Sequence, residues 1–195
     1  MVTPDSPVVL ALAGGVGGAK LALGLALCLS PDDLMICVNT GDDETFHGLH
    51  VSPDLDTMMY TLSGLSNQEN GWGLAGDTFT ALEMLRKFGA DTWFNLGDRD
   101  FATHIRRTQL LAEGKTLSEV TTELNRSLGV FHGVTPMSND PVKTVLQTDE
   151  GELPMQRYFV GRRAEPKVSE VRYLGAENAA AAPGLQNALA KARLL

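Results

Sequence analysis

The sequence predicts an α/β fold: a doubly wound, Rossmann-like parallel sheet with helices on both faces and a small β-hairpin appendage. Three observations predict it. The stretch VVLALAGGVGGAKLALGLALCL, residues 8–29, runs from an apolar strand through paired glycines into an apolar segment of helical length. A second strand, LMICVNT at 34–40, completes a βαβ unit, and both strands are continuously apolar, the pattern of a parallel sheet covered on two faces. Further on, VKTVLQT and LPMQRYFVGRR flank the turn DEGE and read as a hairpin over about 140–165.

In order, the residues predict a strand at Val8–Ala13, a helix at Ala19–Leu29 and a strand at Leu34–Thr40. Ser52 then stands as N-cap with Pro53 at the first helical position, and Leu55, Met58, Met59 and Leu62 mark one apolar face. GDTFTALEMLRKFGA predicts a helix capped by Asp77 and closed near Gly89, followed by a third strand at Thr92–Leu96. A helix over Asp100–Glu113 precedes one opened by Thr116 and Glu119 at capping-box spacing, which Gly129 ends. VFHGVTPM reads as a fourth strand, and Pro183 opens a last helix expected to reach the final residue. The chain, 1–195, reads as one domain without internal repeats.

Composition narrows the function classes. With 16 Lys and Arg against 24 Asp and Glu, the net charge of -8 speaks against nonspecific attraction to nucleic acid or to an anionic membrane. An anionic ligand must therefore be held locally. Cys28 and Cys37 lie in apolar segments without metal-ligand spacing and read as buried thiols in a reducing cytoplasm. The opening MVTPDSP has no basic n-region, and no uninterrupted apolar run reaches the ~18 residues of a spanning helix. The expectation is a cytoplasmic protein.

Ligands of open parallel sheets bind outside the carboxyl ends of the strands, so the loops there belong together. They are GGVGGAK, NTGDDETFHG, LGDRD and TPMSND. Gly14, Gly15, Gly17 and Gly18 carry no side chains, which lets backbone amides and the helix dipole meet a phosphate. The alternative for these glycines is a tight turn with close helix–strand packing. The loop lacks the Gly-Lys-Ser/Thr ending of a Walker A motif and the spacing of the dinucleotide fingerprint. Asp42, Asp43 and Glu44 are consecutive, and a hard oxygen-ligated ion such as Mg²⁺ would relieve their repulsion; a solvated acidic turn is the plainer reading. Asp54 reads as a helix-dipole carboxylate, and Asp56 as a functional group beside the metal. Arg99 is either a salt-bridged arginine or a phosphate fork. His47, His50, His104 and His132 show no metal-ligand spacing and read as structural or exposed.

The ordered segments ALAGGVGGAKLALGLA, VNTGDDETFHGLHVSPDLDTMMYTLSG, GWGLAGDTF, WFNLGDRDFATHIRRTQLLAEGKTLSEVT, PMSNDPVKT and MQRYFV resemble the 2-phospho-L-lactate transferase (CofD) family of coenzyme F-420 biosynthesis. The resemblance implies an enzyme that moves a 2-phospholactyl or enolpyruvyl-phosphoryl group from a guanosine-diphosphate-linked donor to the ribityl hydroxyl of the deazaflavin FO. A phosphodiester forms, GMP leaves, and Mg²⁺ is required. It further implies that Gly14, Gly15, Gly17 and Gly18 meet the donor diphosphate, and that Asp42 and Asp43 hold metal. Asp43 and Asp56 then carry catalysis, Asp43 as the carboxylate that would orient the attacking hydroxyl. Gly76, Asp77, Thr78 and Leu82 would line the deazaflavin, with Trp72 stacked on it. Arg99 would bind substrate, and Met137, Ser138 and Asn139 would complete the nucleotide side. A homodimer is implied by analogy only.

Two features depart from the family pattern. Val16 stands where a GGTG-type loop carries a hydroxyl. Family members also continue through a further Pro-Ser-Asn-Pro loop, so the C-terminal part is expected to be missing. The rival expectations are a nucleotide-sugar-binding regulator of related fold, an inactive chain that still binds FO, and a dinucleotide oxidoreductase.

Overall fold

Parallel pairing organises the centre of the chain. A computed structural model describes residues 9–195, so Val8 and the MVTPDSP start lie outside the described residues. Strand β1 (Val9–Ala13) pairs in parallel with β2 (Leu34–Val38), and β2 with β5 (Gly133–Pro136). Side chains alternate across a strand, so each strand feeds two cores. Val9, Ala11, Leu34, Ile36 and Val38 pack beneath helices α1 (Gly15–Cys28) and α2 (Pro53–Leu62). Leu10 and Cys37 turn the other way, toward Ala188 of α6 (Pro183–Leu189). Cover on both faces is the reason these strands are continuously apolar. Beside β1, Leu194 adds one parallel bridge to Val9, and its carbonyl accepts from the Leu10 amide at 2.9 Å.

Helix α1 begins four residues earlier than the sequence suggested, at Gly15 with Gly14 as N-cap, because the glycines form its first turn. The expected strand at Thr92–Leu96 is irregular chain instead. Its aromatic residues pack on Phe46: Phe94 stacks at a centroid distance of 4.2 Å and Trp93 meets it edge-on at 5.5 Å. Aromatic residues favour any half-buried surface, and here β5 holds the place beside β2. Phe46 itself ends β3 (Glu44–Phe46), which pairs with β4 (Leu49–Val51) across a turn in which His47 and Gly48 both have positive φ. The sequence reading treated this hairpin as loop.

Two helices begin on each other's carboxylates. In α4 (Asp98–Ala112), the Arg99 and Asp100 amides donate to Asp77 at 2.9 and 3.1 Å. In α3 (Thr80–Lys87), the Thr80 and Ala81 amides donate to Asp98 at 3.1 and 2.8 Å. Asp77 thus caps the following helix rather than its own. Ser52 occupies the N-cap position of α2 as expected, yet its hydroxyl donates to Asp43 instead of accepting from the helix. Helix α5 (Leu117–Ser127) opens with the complete Thr116/Glu119 capping box, and Gly129 follows its end at a φ of 76°.

The appendage is a three-stranded antiparallel sheet in the order β7-β6-β8. It comprises β6 (Lys143–Thr148), β7 (Gly151–Pro154) and β8 (Val168–Leu174), the last unforeseen. Between β7 and β8 the chain makes a π-helical turn at Arg157–Gly161 rather than continuing as strand. The Arg157 guanidinium lies 4.8 Å from the Trp93 ring centroid and 3.5 Å from Asp91, which docks the turn on the central body. The Thr144 amide donates to the Gly41 carbonyl at 2.6 Å, so the loop after β2 is tied to the appendage. Helix α6 stops at Leu189, short of the expected length. Cys37 is buried, and burial pushes its thiol up to about 11, whereas Cys28 is exposed, contrary to expectation. Among the described residues, no helix is long and apolar enough to cross a membrane.

Candidate functional site

A cleft of about 800 Å³ opens where the first turn of α1, the loop after β2, the start of α2 and the appendage meet. Gly14, Gly15 and Val16 form its glycine edge. A Cβ on Gly14 would sit 3.1 Å from Asp54 Oδ2, so the bare backbone lets that carboxylate approach. Gly18 serves the other reading of these glycines, since a Cβ there would meet Ala13 at 3.0 Å. Gly17 and Gly18 are not on the cleft lining.

Opposite the glycines, Asn39 Nδ2 donates to Asp42 Oδ2 and to Asp54 Oδ2, each at 3.0 Å. Its Oδ1 accepts from the Gly41 amide, which fixes the side chain. Burial pushes the Asp42 carboxyl up, and the charge of Asp54 adds to that. Burial likewise raises Asp54, while Asn39 and the Gly15 amide oppose it. Two carboxylates held against one amide offer a pair of hard oxygen donors. Among the described residues no group of three or more His, Cys, Asp or Glu side chains forms a metal cage. Mg²⁺ suits a donor pair of this kind, because it retains water and binds through one or two carboxylates together with substrate phosphates. Asp54 was read from sequence as a dipole carboxylate alone.

Asp43, the expected metal ligand and catalytic group, is not on the cleft lining. Its Oδ2 accepts from Ser52 Oγ at 2.7 Å and lies 3.0 Å from His50 Nε2, while Oδ1 is buried without a partner. Burial pushes this carboxyl up, and the bonds from His50 and Ser52 oppose the shift. Asp56 does line the cleft, but both its oxygens face the buried guanidinium of Arg107. Burial alone would lower the Arg107 pKa; the Asp56 charge outweighs it and raises it.

Behind Asp56 runs a chain of polar groups that the sequence reading missed. His104 Nδ1 lies 3.3 Å from Arg107 Nη1, and His104 Nε2 lies 3.3 Å from Asp100 Oδ2. The Tyr60 hydroxyl donates to Asp100 Oδ1 at 2.6 Å and stands 2.8 Å from Thr103 Oγ1. Burial pushes the Tyr60 phenol up, and the Asp56 and Asp100 charges push it further. Burial would also raise Asp100, but the His104 bond outweighs it and, with Tyr60 and Arg107, holds the carboxyl below the usual range. One sequence signal existed: Asp100, His104 and Arg107 follow one helical face at spacings of four and three.

Part of the cleft lining is apolar. Phe94, Leu96 and Met155 belong to it, with Phe159 and Val160 from the π-helical turn. Trp72 also lines the cleft. Other expected site residues are used elsewhere. Asp77 caps α4, and Thr78 donates its hydroxyl to Asp98 at 2.6 Å. Gly76 makes their turn with φ 66°, and Leu82 is buried with Phe46, Leu96 and Phe101. Arg99 is exposed and donates to the Ala75 carbonyl at 3.0 Å. Met137 packs on the α6 side of the sheet, Ser138 donates to the Ala180 carbonyl at 2.6 Å, and Asn139 accepts from the Ser118 amide at 2.8 Å. The fourth loop is thus committed to the α5 and α6 starts rather than to this cleft.

The profile of the family described as 2-phospho-L-lactate transferase CofD matches residues 9–195. The chain belongs to the CofD family. Among relatives, it is 45% identical over 189 residues to the phosphoenolpyruvate transferase of Streptomyces avermitilis, covering 94% of this chain and 59% of that one. To the 2-phospho-L-lactate transferase of Methanopyrus kandleri it is 42% identical over 182 residues, covering 93% and 58%. A member of the UPF0052 family from Bacillus halodurans shares the fold, with a TM-score of 0.57, 16% identity, and coverage of 98% of this chain and 57% of that chain. The chain spans about three-fifths of the length of these CofD relatives.

Proposed function

We propose that this CofD-family chain is the cleft-bearing part of a Mg²⁺-dependent transferase of F-420 biosynthesis. It moves a 2-phospholactyl or enolpyruvyl-phosphoryl group from a guanosine-diphosphate-linked donor to the terminal ribityl hydroxyl of FO, with release of GMP. The observation that carries this reading is the polarity of the cleft. The lining of this space, about 800 Å³ in all, combines the glycine turn and paired carboxylates with aromatic and apolar side chains. A diphosphate fits the first and a flat deazaflavin the second.

Asp42 and Asp54 would hold Mg²⁺, with Asn39 keeping both carboxylates in place. When bound, the ion supplies neutralising charge to the diphosphate. Gly14 and Gly15 offer close backbone approach to the same oxygens, and Trp72 with Phe159 encloses the ring. Asp56 acts through Arg107, and Asp43 through Ser52 and His50, so both shape the cleft from behind. Positioning and charge neutralisation then provide most of the rate, as phosphoryl-type transfers require. The homodimer and the cytoplasmic location remain part of this reading through the family resemblance, and light scattering tests the first.

The decisive experiment titrates FO into the purified chain by FO fluorescence, with and without Mg²⁺, then adds donor and follows GMP. Saturable binding with GMP release supports the transferase. A second reading, an FO-binding chain without turnover, is favoured by the commitment of Ser138 and Asn139 away from the cleft. Binding without GMP would select it. No binding by folded protein would remove the FO assignment.

A further inference from the structure

Tyr60, Asp100 and His104 also line the cleft, and neither the proposed metal site nor the proposed ring site uses them. We propose that Asp100 accepts the attacking hydroxyl of the acceptor and that His104 is the positioning residue that aims it. The inference rests on the transferase reading above and deepens it.

Arginine only donates hydrogen bonds, so Arg107 Nη1, 3.3 Å from His104 Nδ1, makes that nitrogen the acceptor. The ring proton of the neutral imidazole is thereby assigned to Nε2, which faces Asp100 Oδ2 at 3.3 Å. Nε2 is buried and has no hydrogen bond of ordinary geometry, consistent with a contact that tightens when substrate is present. On the other carboxylate oxygen, Tyr60 donates at 2.6 Å. Asp100 is therefore held through Oδ1 by Tyr60, Oδ2 faces His104 Nε2, and its side chain is 14% exposed at the cleft. The other carboxylates are placed differently: Asp56 turns both oxygens to Arg107, Asp43 is off the cleft lining, and Asp42 and Asp54 share Asn39 at the proposed metal site. The charged and titratable groups facing this pair are Asp56 and Tyr60 from α2 and Arg107 from α4, with Asp43 acting on Arg107 from the loop after β2.

In the transfer, the acceptor oxygen forms a bond to the phosphorus and the bond from phosphorus to the GMP oxygen breaks, its electron pair leaving with GMP. The hydroxyl O–H bond breaks as the new ester forms. Its proton passes to the Asp100 carboxylate and then to water. A held carboxylate of low basicity is suited to this role, because the hydroxyl becomes strongly acidic only once bonded to phosphorus.

The first test reads the imidazole directly: two-dimensional ¹⁵N–¹H spectra of the full chain at pH 8 should show His104 with Nε2 protonated and Nδ1 bare. A proton on Nδ1 overturns the positioning role, and His104→Gln, which keeps an N–H donor, confirms the assignment of the signals. The second test compares FO with its 5′-deoxy analogue by fluorescence titration. Wild type should prefer FO, and Asp100→Asn should reduce that preference by about tenfold or more while the analogue binds as before. In the presence of donor, Asp100→Asn should lower kcat by about 10²–10⁴ and raise the KM for FO by no more than the roughly tenfold lost in binding. His104→Leu should lower kcat and His104→Gln should restore part of it. An unchanged preference for FO in Asp100→Asn overturns the proposal. If wild type binds FO poorly although its imidazole tautomer is as stated, the transferase reading has failed rather than the His104 geometry, and the role of Asp100 falls with it.

Discussion

Asp54 and Arg107 carry the sharpest expectations at the scale of single residues. The Asp54 carboxyl is raised in the folded chain by burial. A carboxyl with a raised folded pKa costs stability progressively as pH climbs from its unfolded value through its folded one, and above the folded value the cost is complete. Asp54→Asn should therefore stabilise the metal-free chain, by about 1 kcal/mol or ~2–4 °C in Tm. On the proposed metal site, Mg²⁺ should raise the Tm of wild type and not that of this variant; an equal Mg²⁺ shift in both would remove Asp54 from the metal site. Arg107 is the reverse case. Its guanidinium is buried against Asp56, and removing one partner of such a pair strands the other charge. Arg107→Met should cost about 3–5 kcal/mol in denaturant unfolding. Loss of under 1 kcal/mol would mean that water reaches Asp56.

At the scale of elements, the exchanged caps of α3 and α4 make one cooperative unit out of two helices. The Thr78 hydroxyl and the Ala81 and Thr80 amides hold the Asp98 carboxyl below its usual range. A depressed carboxyl contributes stability above its unfolded pKa, near ~3.9, and loses it as pH falls through the lower folded value. Asp98→Asn should flatten the acid limb of the stability curve in that window and leave its slope above pH 6 unchanged. Chemical denaturation across pH 2–7 reads this directly. An unaltered acid limb would show that α3 starts without Asp98. The exchange also explains why Asp77 misled the reading of the sequence: a carboxylate before a helical run caps whichever helix start comes within reach, and only packing brings the second one there.

At the scale of the molecule, the cleft exists because the appendage folds back on the central body. Arg157 over Trp93 and the Thr144 amide on Gly41 make that contact. Arg157→Ala should lower stability by only about 0.5–1 kcal/mol, the worth of a partly exposed cation–π pair. It should nevertheless weaken FO binding several-fold, because Phe159 and Val160 lose their support. Equal FO affinity in wild type and variant would assign the ring to the Trp72 side alone.

The βαβ opening, the parallel sheet, the α5 capping box and the glycine turn between β1 and α1 were legible in the sequence because each depends on residues close in the chain: continuous apolar runs, a Thr116–Glu119 spacing, paired glycines before a helix. The site was only half legible. Carboxylates near the glycines were visible, but that Asp42 and Asp54 line the cleft while Asp43 is bonded to Ser52 and His50 away from it follows from contacts made when α2 packs on α1. The same holds for the Tyr60, Asp100, His104 and Arg107 chain, whose members come from two helices. Periodicity and caps are local and survive in a string of letters. Which carboxylate faces a cleft and which is tied behind it depends on contacts across many residues, and those only the tertiary structure decides.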